Sequence, residues 1–231
     1  MHPAVGIAVA YLLGSIPAAY IAGKLTRGID LRQHGSGNLG ATNAYRVLGA
    51  RIASVVMAFD AAKGAIPVLL FPRWMDTAHP DLWAIAYGVA AIVGHVRPIF
   101  LLWKGGGKGV ATASGVFLGL AWLPTLLAFA VWLAVILRSG YVSLASLCAA
   151  VVLPVALLFT EGARSPHFVV AASVGVFVFW SHRANIGRLR RGEEHRFGAK
   201  HQAAQPSPPP GREKPAPPAP APRPDAGGAP R

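Results

Sequence analysis

The chain has 231 residues, 53% of them hydrophobic and only 13% charged, with a mean hydropathy of +0.44 and a formal net charge of +13. Its apolar residues fall in long runs, which is membrane composition and argues against one soluble core. The single cysteine, Cys148, lies in an apolar run and excludes both a disulfide framework and paired-thiol chemistry.

The first apolar run, at about 3–23, lacks the basic leader of a signal peptide and is read as a first membrane span. After it, His34-Gly35-Ser36-Gly37-Asn38-Leu39-Gly40-Ala41-Thr42-Asn43 leads to Arg46. The spacing Gly35-x-Gly37-x-x-Gly40 imitates a dinucleotide fingerprint, but no strand precedes it, so that function is rejected. What remains is an anion-binding loop in which glycines let backbone N–H groups approach, and Ser36, Asn38, Thr42 and Asn43 add neutral donors.

The second run, 51–71, carries Asp60 and Lys63 one helical turn apart. Charges at membrane depth are costly unless paired or wetted, so the two serve either as a structural ion pair or in substrate contact. A third run, 82–102, contains Gly94-His95-x-x-Pro98 and leads into Lys104-Gly105-Gly106-Gly107-Lys108-Gly109. Gly109 follows Lys108 where a P-loop requires Ser or Thr, so ATP chemistry is not expected. A glycine loop between two lysines at a helix start is nonetheless a phosphate holder, and His95 is placed to orient it.

The run 110–137 is interrupted at Trp122-Leu123-Pro124. Ser143 opens the run 141–160, either as a helix cap or as a ligand group. His182 and Asn185 close the run 167–182, three residues apart on one helix face. From residue 200 the chain turns to Pro208-Pro209-Pro210 and Ala-Pro repeats, read as a disordered tail, 200–231, behind a membrane domain, 1–199.

Basic residues gather in Lys24–Arg51, Arg97–Lys108 and Arg183–Arg196, which the positive-inside rule places in the cytoplasm. That rule accounts for most of the excess charge, so a nucleic-acid partner is not expected. Six simple crossings would leave the third basic segment outside. The conflict disappears if 110–137 crosses twice as two halves of about 14 residues, roughly 21 Å each, or re-enters as a hairpin. The expected fold is therefore all-α and polytopic, with about seven membrane helices, the N-terminus outside and the C-terminus cytoplasmic.

Taken together, Gly14-Ser15-Ile16-Pro17, the His34–Asn43 loop with Arg46, Asp60-x-x-Lys63-Gly64, Gly94-His95-x-x-Pro98, the glycine-lysine loop, Ser143-x-x-Ser146-Leu147 and His182-x-x-Asn185-Ile186 resemble the acyl-phosphate-dependent glycerol-3-phosphate acyltransferases, the PlsY family. The resemblance covers about residues 10–195. One departure is that three glycines separate Lys104 from Lys108 where the family usually has two, which leaves the assignment of the lysines open.

The resemblance implies transfer of an acyl group from acyl phosphate to glycerol 3-phosphate at the inner membrane of a bacterium. The products are 1-acyl-glycerol 3-phosphate (lysophosphatidic acid) and phosphate, formed by a monomer in contact with membrane lipid and without metal or cofactor. Arg46 with Lys104, Lys108 or both would clamp phosphate, lined by Gly35, Gly37, Asn43 and the loop glycines Gly105, Gly106 and Gly107. Ser36, Asn38 and Thr42 would surround the reacting centre. Ser143, His182 and Asn185 would position the acceptor, with His182 as base or positioner and Ser36, His182 and Asn185 as the catalytic set. Asp60, Lys63 and His95 would support this site. The rival class is an organic-phosphate transporter.

Overall fold

The structure, a computed structural model, describes residues 2–74 and 78–198. The expected tail at 200–231 lies outside the described residues. Among the described residues there are ten α-helices, two short 3-10 turns and no strand.

Helix α1 (Pro3–Ser15) begins with a proline at its first position and His2 Nδ1 accepting the Ala4 N–H at 3.2 Å. It breaks at Ile16-Pro17, because proline has no N–H to continue the ladder. The chain resumes as α2 (Ala18–Arg27) and, after the first loop, as the short α3 (Ala41–Leu48). Then come α4 (Ala50–Trp74), α5 (Pro80–Val96), α6 (Val110–Leu120), α7 (Trp122–Ser139), α8 (Val142–Glu161), α9 (Pro166–Ser181) and α10 (Arg183–Arg190).

Five segments are long and apolar enough to cross a membrane: Pro3–Arg27, Ala50–Trp74, Pro80–Leu101, Trp122–Ser139 and Val142–Glu161. The pair α9 and α10, bent by 58° at His182, makes a sixth, and α6 is a shorter apolar helix. The outward faces invert the pattern of a water-soluble protein: Phe159 is 84% and Val176 73% exposed, as a lipid-facing surface requires. Trp74, Trp103, Trp122 and Trp180 are exposed near helix ends, where an aromatic belt meets the headgroups.

The interruption in 110–137 falls at Ala121 and gives helices of 11 and 18 residues, not the near-equal halves expected. Pro124 explains the displacement. It sits in the first turn of α7, where a missing N–H costs little, so it starts the second helix instead of breaking the first.

Both ends of this pair return to one side of the molecule. Lys108, just ahead of α6, bonds to Asn185, and Gly140, just after α7, accepts the Phe197 N–H at 2.6 Å. At the other extreme, Gly119 and Leu120 line the same cavity as Arg73, Pro80, Asp81 and His167. So α6, only about 16 Å long, reaches the end where α4 stops and α5 and α9 begin. The pair runs out and back through the bundle.

Helices α4 and α6 meet backbone to backbone. A Cβ on Gly115 would lie 1.9 Å from Ala61 O, and one on Gly64 2.2 Å from Thr112 O, so only glycine permits this crossing. The contact sets the start of α6, and the glycine loop before it, beside Asp60 and Lys63. Apolar clusters flank the crossing: Val68, Ala84, Ile92, Ala113 and Val116 on one side, and Phe117, Leu157 and Ala171 toward α8 and α9.

Candidate active site

The first loop is built around a buried amide. Asn43 Oδ1 accepts the Ser36 N–H at 2.8 Å, while its Nδ2 donates to His34 O at 3.0 Å and Leu31 O at 3.3 Å. At 2% exposure it has no polar atom left for a ligand, so Asn43, expected among the substrate contacts, shapes the loop instead. Gly35 and Gly37 take φ of 62° and 71° on either side of Ser36, which is exposed at the turn. Thr42 lies half-buried in the first turn of α3.

The second glycine segment docks on the first. Leu39 N–H and Asn38 Nδ2 both donate to Gly106 O at 3.2 Å, and Arg32 donates to Lys104 O at 3.0 Å. Arg32 is itself held by Asp30 at 2.6 Å. Loops almost 70 residues apart in sequence thus form one surface. Its two lysines separate: the side chain of Lys104 is exposed, whereas Lys108 turns inward and donates to Asn185 Oδ1. Gly105 has φ of 93°, and Gly106 and Gly107 lie against His95 and Val96.

The third component is a carboxylate that the sequence motifs did not single out. Glu194, 7% exposed, accepts from Ser143 Oγ at 2.8 Å and Asn185 Nδ2 at 2.6 Å on one oxygen, and from Arg188 Nε at 2.7 Å on the other. Ser143 is therefore not a helix cap, since its hydroxyl points across to the segment after α10. Burial would raise the Glu194 pKa, but the donors Asn185, Arg188 and Ser143 outweigh it and hold the carboxyl below its usual range.

Cations surround this carboxylate. Burial lowers the Lys108 pKa to about 8; the neighbouring Glu194 opposes the shift, and Arg188 and Arg46 add to it. Burial likewise lowers the Arg46 pKa, with Glu194 opposing and Arg188 adding. Arg46, Lys108 and Arg188 thus share the field of one carboxylate, leaving the site cationic overall.

His182 sits where α9 bends into α10, so it and Asn185 straddle a break and do not share one continuous helix face, as the spacing had suggested. Its Nδ1 lies 2.8 Å from Val178 O. A carbonyl only accepts, so Nδ1 carries the proton and Nε2 of the neutral ring is left as an acceptor.

The segment after α10 straps these parts together. Phe197 stacks on Tyr45 with ring centroids 4.4 Å apart, and Arg196 donates to Tyr141 Oη at 3.2 Å. Behind the glycine loop lies a second polar cluster. Lys63 Nζ is 2.7 Å from Asp60 Oδ1 and 2.9 Å from Ile16 O, and His95 Nδ1 is 3.5 Å from the same carboxylate oxygen. Among the described residues no group of three or more His, Cys, Asp or Glu is disposed to hold a metal ion.

The model of the family described as glycerol-3-phosphate acyltransferase matches residues 4–192. A glycerol-3-phosphate acyltransferase of Synechococcus sp. (strain CC9902) is 46% identical over 194 residues, covering 84% of this chain and 94% of the relative. Another, of Geotalea daltonii, is 46% identical over 190 residues, covering 81% and 94%. Two crystal structures of PlsY (YgiH), an integral membrane glycerol 3-phosphate acyltransferase, superpose on this one. The glycerol 3-phosphate form gives a TM-score of 0.77 at 40% identity over 85% of this chain and 96% of that one. The lysophosphatidic acid form gives 0.73 at 38%, over 85% and 95%. The chain belongs to the glycerol-3-phosphate acyltransferase family.

Proposed function

We propose, with that family membership as the premise, that the chain moves a fatty acyl group from acyl phosphate to glycerol 3-phosphate, releasing 1-acyl-glycerol 3-phosphate and inorganic phosphate. The observation that supports this best is the excess of cations, Arg46, Lys108 and Arg188, around the single carboxylate Glu194. Such a site lacks the negative charge a phosphate dianion supplies.

Acyl phosphate is already an activated mixed anhydride, so no acyl-enzyme is needed. The acceptor hydroxyl oxygen attacks the acyl carbonyl carbon, the bond from that carbon to the bridging phosphate oxygen breaks, and phosphate departs with the electron pair. The hydroxyl proton passes to a phosphate oxygen or to His182 Nε2, which is free to accept it. Lys108 and Arg46 seat the acceptor phosphate. Asn185 orients Lys108, and Ser143 and Glu194 orient Asn185. Ser36, Asn38 and the loop glycines Gly35, Gly37 and Gly105–Gly107 frame the donor phosphate, and the enzyme works mainly by holding two anions in register.

The basic loops support a reading in which this face lies in the cytoplasm at a bacterial inner membrane, with the α6–α7 pair as a double crossing and seven crossings in total. The enzyme acts as a monomer, without cofactor. The test is purified full-length protein given glycerol 3-phosphate and either palmitoyl phosphate or palmitoyl-CoA. Phosphate release and lysophosphatidic acid are expected with the first donor alone, and activity only with the thioester would overturn the reading. His182→Ala and His182→Gln separate base from positioner, because near-normal turnover at saturating substrate in either excludes an obligatory base.

A further inference from the structure

We infer that Asp60, Lys63 and His95 form a positioning device in which the His95 imidazole is the floor that fixes Gly107, and so aims Lys108, the next residue, into the site. This rests on the role proposed above for Lys108.

The contact is close. A Cβ on Gly107 would lie 1.8 Å from His95 Nε2 and 2.4 Å from its Cε1, and one on Gly106 2.1 Å from Val96 O. Gly107 N–H also donates to His95 O at 3.2 Å, so the loop lies flat on these two residues. Gly107 is not among the glycines with positive φ, and the three atoms nearest such a Cβ all belong to the imidazole, so the ring is the first obstacle to a side chain there.

The ring has little freedom to yield. His95 is 6% exposed, and its Nδ1 faces an Asp60 carboxylate pinned by Lys63. Lys63 is anchored in turn on Ile16 O, at the break between α1 and α2. Helix α4 and the break between α1 and α2 therefore fix one ring on α5, and the ring fixes the loop. All three side chains are buried behind the loop, at 1%, 2% and 6% exposure, so they act through it as positioning residues.

The alternative account of the loop glycines is that a bare backbone is needed only for N–H groups to approach phosphate. The two accounts differ in a suppressor experiment. Gly107→Ala should raise KM for glycerol 3-phosphate at least tenfold with kcat changed less than about threefold. His95→Asn keeps an amide donor toward Asp60 while removing Nε2 and Cε1, so it withdraws the floor and should itself raise KM about fivefold. The double variant should return KM to within about threefold of His95→Asn alone. A double variant at or above the product of the two single effects overturns the device.

Thermal midpoints without substrate give an independent readout. If Gly107→Ala does not purify folded, a stable double variant supports the contact, and failure of both overturns it. Thermal suppression together with an unchanged KM in Lys108→Ala keeps the contact and removes the phosphate role of Lys108. A raised KM in Lys108→Ala without suppression does the reverse.

Discussion

The cluster of Asp60, Lys63 and His95 and the cluster of Lys108, Asn185 and Glu194 are both buried and both combine one carboxylate with a lysine, yet their charges close differently. In the first, one carboxylate meets one ammonium, with a carbonyl and an imidazole completing the shell. In the second, one carboxylate is shared among Arg188, Lys108 and Arg46. On the proposed reading the internally balanced cluster is scaffold, and the one left with surplus charge is where an anionic ligand binds.

The largest expected effect tests the balanced side. Asp60→Asn leaves the Lys63 ammonium buried without its counter-charge and should lower stability by about 3–5 kcal/mol, read as a fall in the thermal midpoint in detergent. Asp60→Leu with Lys63→Met should recover much of it. A stable but inactive Asp60→Asn would break the comparison.

On the unbalanced side, Lys108→Ala should reduce kcat/KM for glycerol 3-phosphate about 100-fold, roughly 2.7 kcal/mol, without lowering the thermal midpoint. The pH dependence has a defined sign. With the folded pKa near about 8 and the free value near 10.4, the unfolded chain holds the extra proton in between, so this residue makes stability rise with pH across that window. Affinity for glycerol 3-phosphate should weaken as pH climbs through about 8, and Lys108→Ala should flatten both trends. Affinity titrations and thermal melts from pH 7 to about 10 check this.

Arg46→Ala should cost at least tenfold in catalytic efficiency, about 1.4 kcal/mol, and unchanged kinetics would remove it from the site. Lys104→Ala should change kcat/KM less than about threefold, because its side chain is exposed and its hydrogen bonds to Leu101 and Arg32 are made by its backbone. A large loss there would reverse the assignment of the two lysines.

The long apolar runs and the placement of basic residues make the helical membrane fold legible in the sequence, and the glycine-bearing loops announce anion binding. Parity of charge argues that 110–137 goes out and back, whereas the break at Ala121 depends on where a proline sits within a helical turn, which apolar runs do not specify. Asn43 read as a ligand because an amide in a glycine loop has that chemistry. Only tertiary placement reveals that all its hydrogen bonds are directed into the loop itself.

Glu194 was the least legible residue. It follows an identical neighbour in a basic segment, where acidic residues look like solvated partners of arginine. Glu193 is such a residue, paired with Arg191 at the surface, while Glu194 is buried among Ser143, Asn185 and Arg188. The two differ only in which way the backbone presents them.

The strap from Glu194 to Phe197 sets an order of events. These residues are made after every helix that they join, so a nascent chain acquires its membrane bundle first and the polar cluster around Glu194 last. A ribosome stalled before this point would leave an inserted bundle whose Ser143, Asn185 and Arg188 have nothing to gather around, and the site would assemble only once the strap has been made.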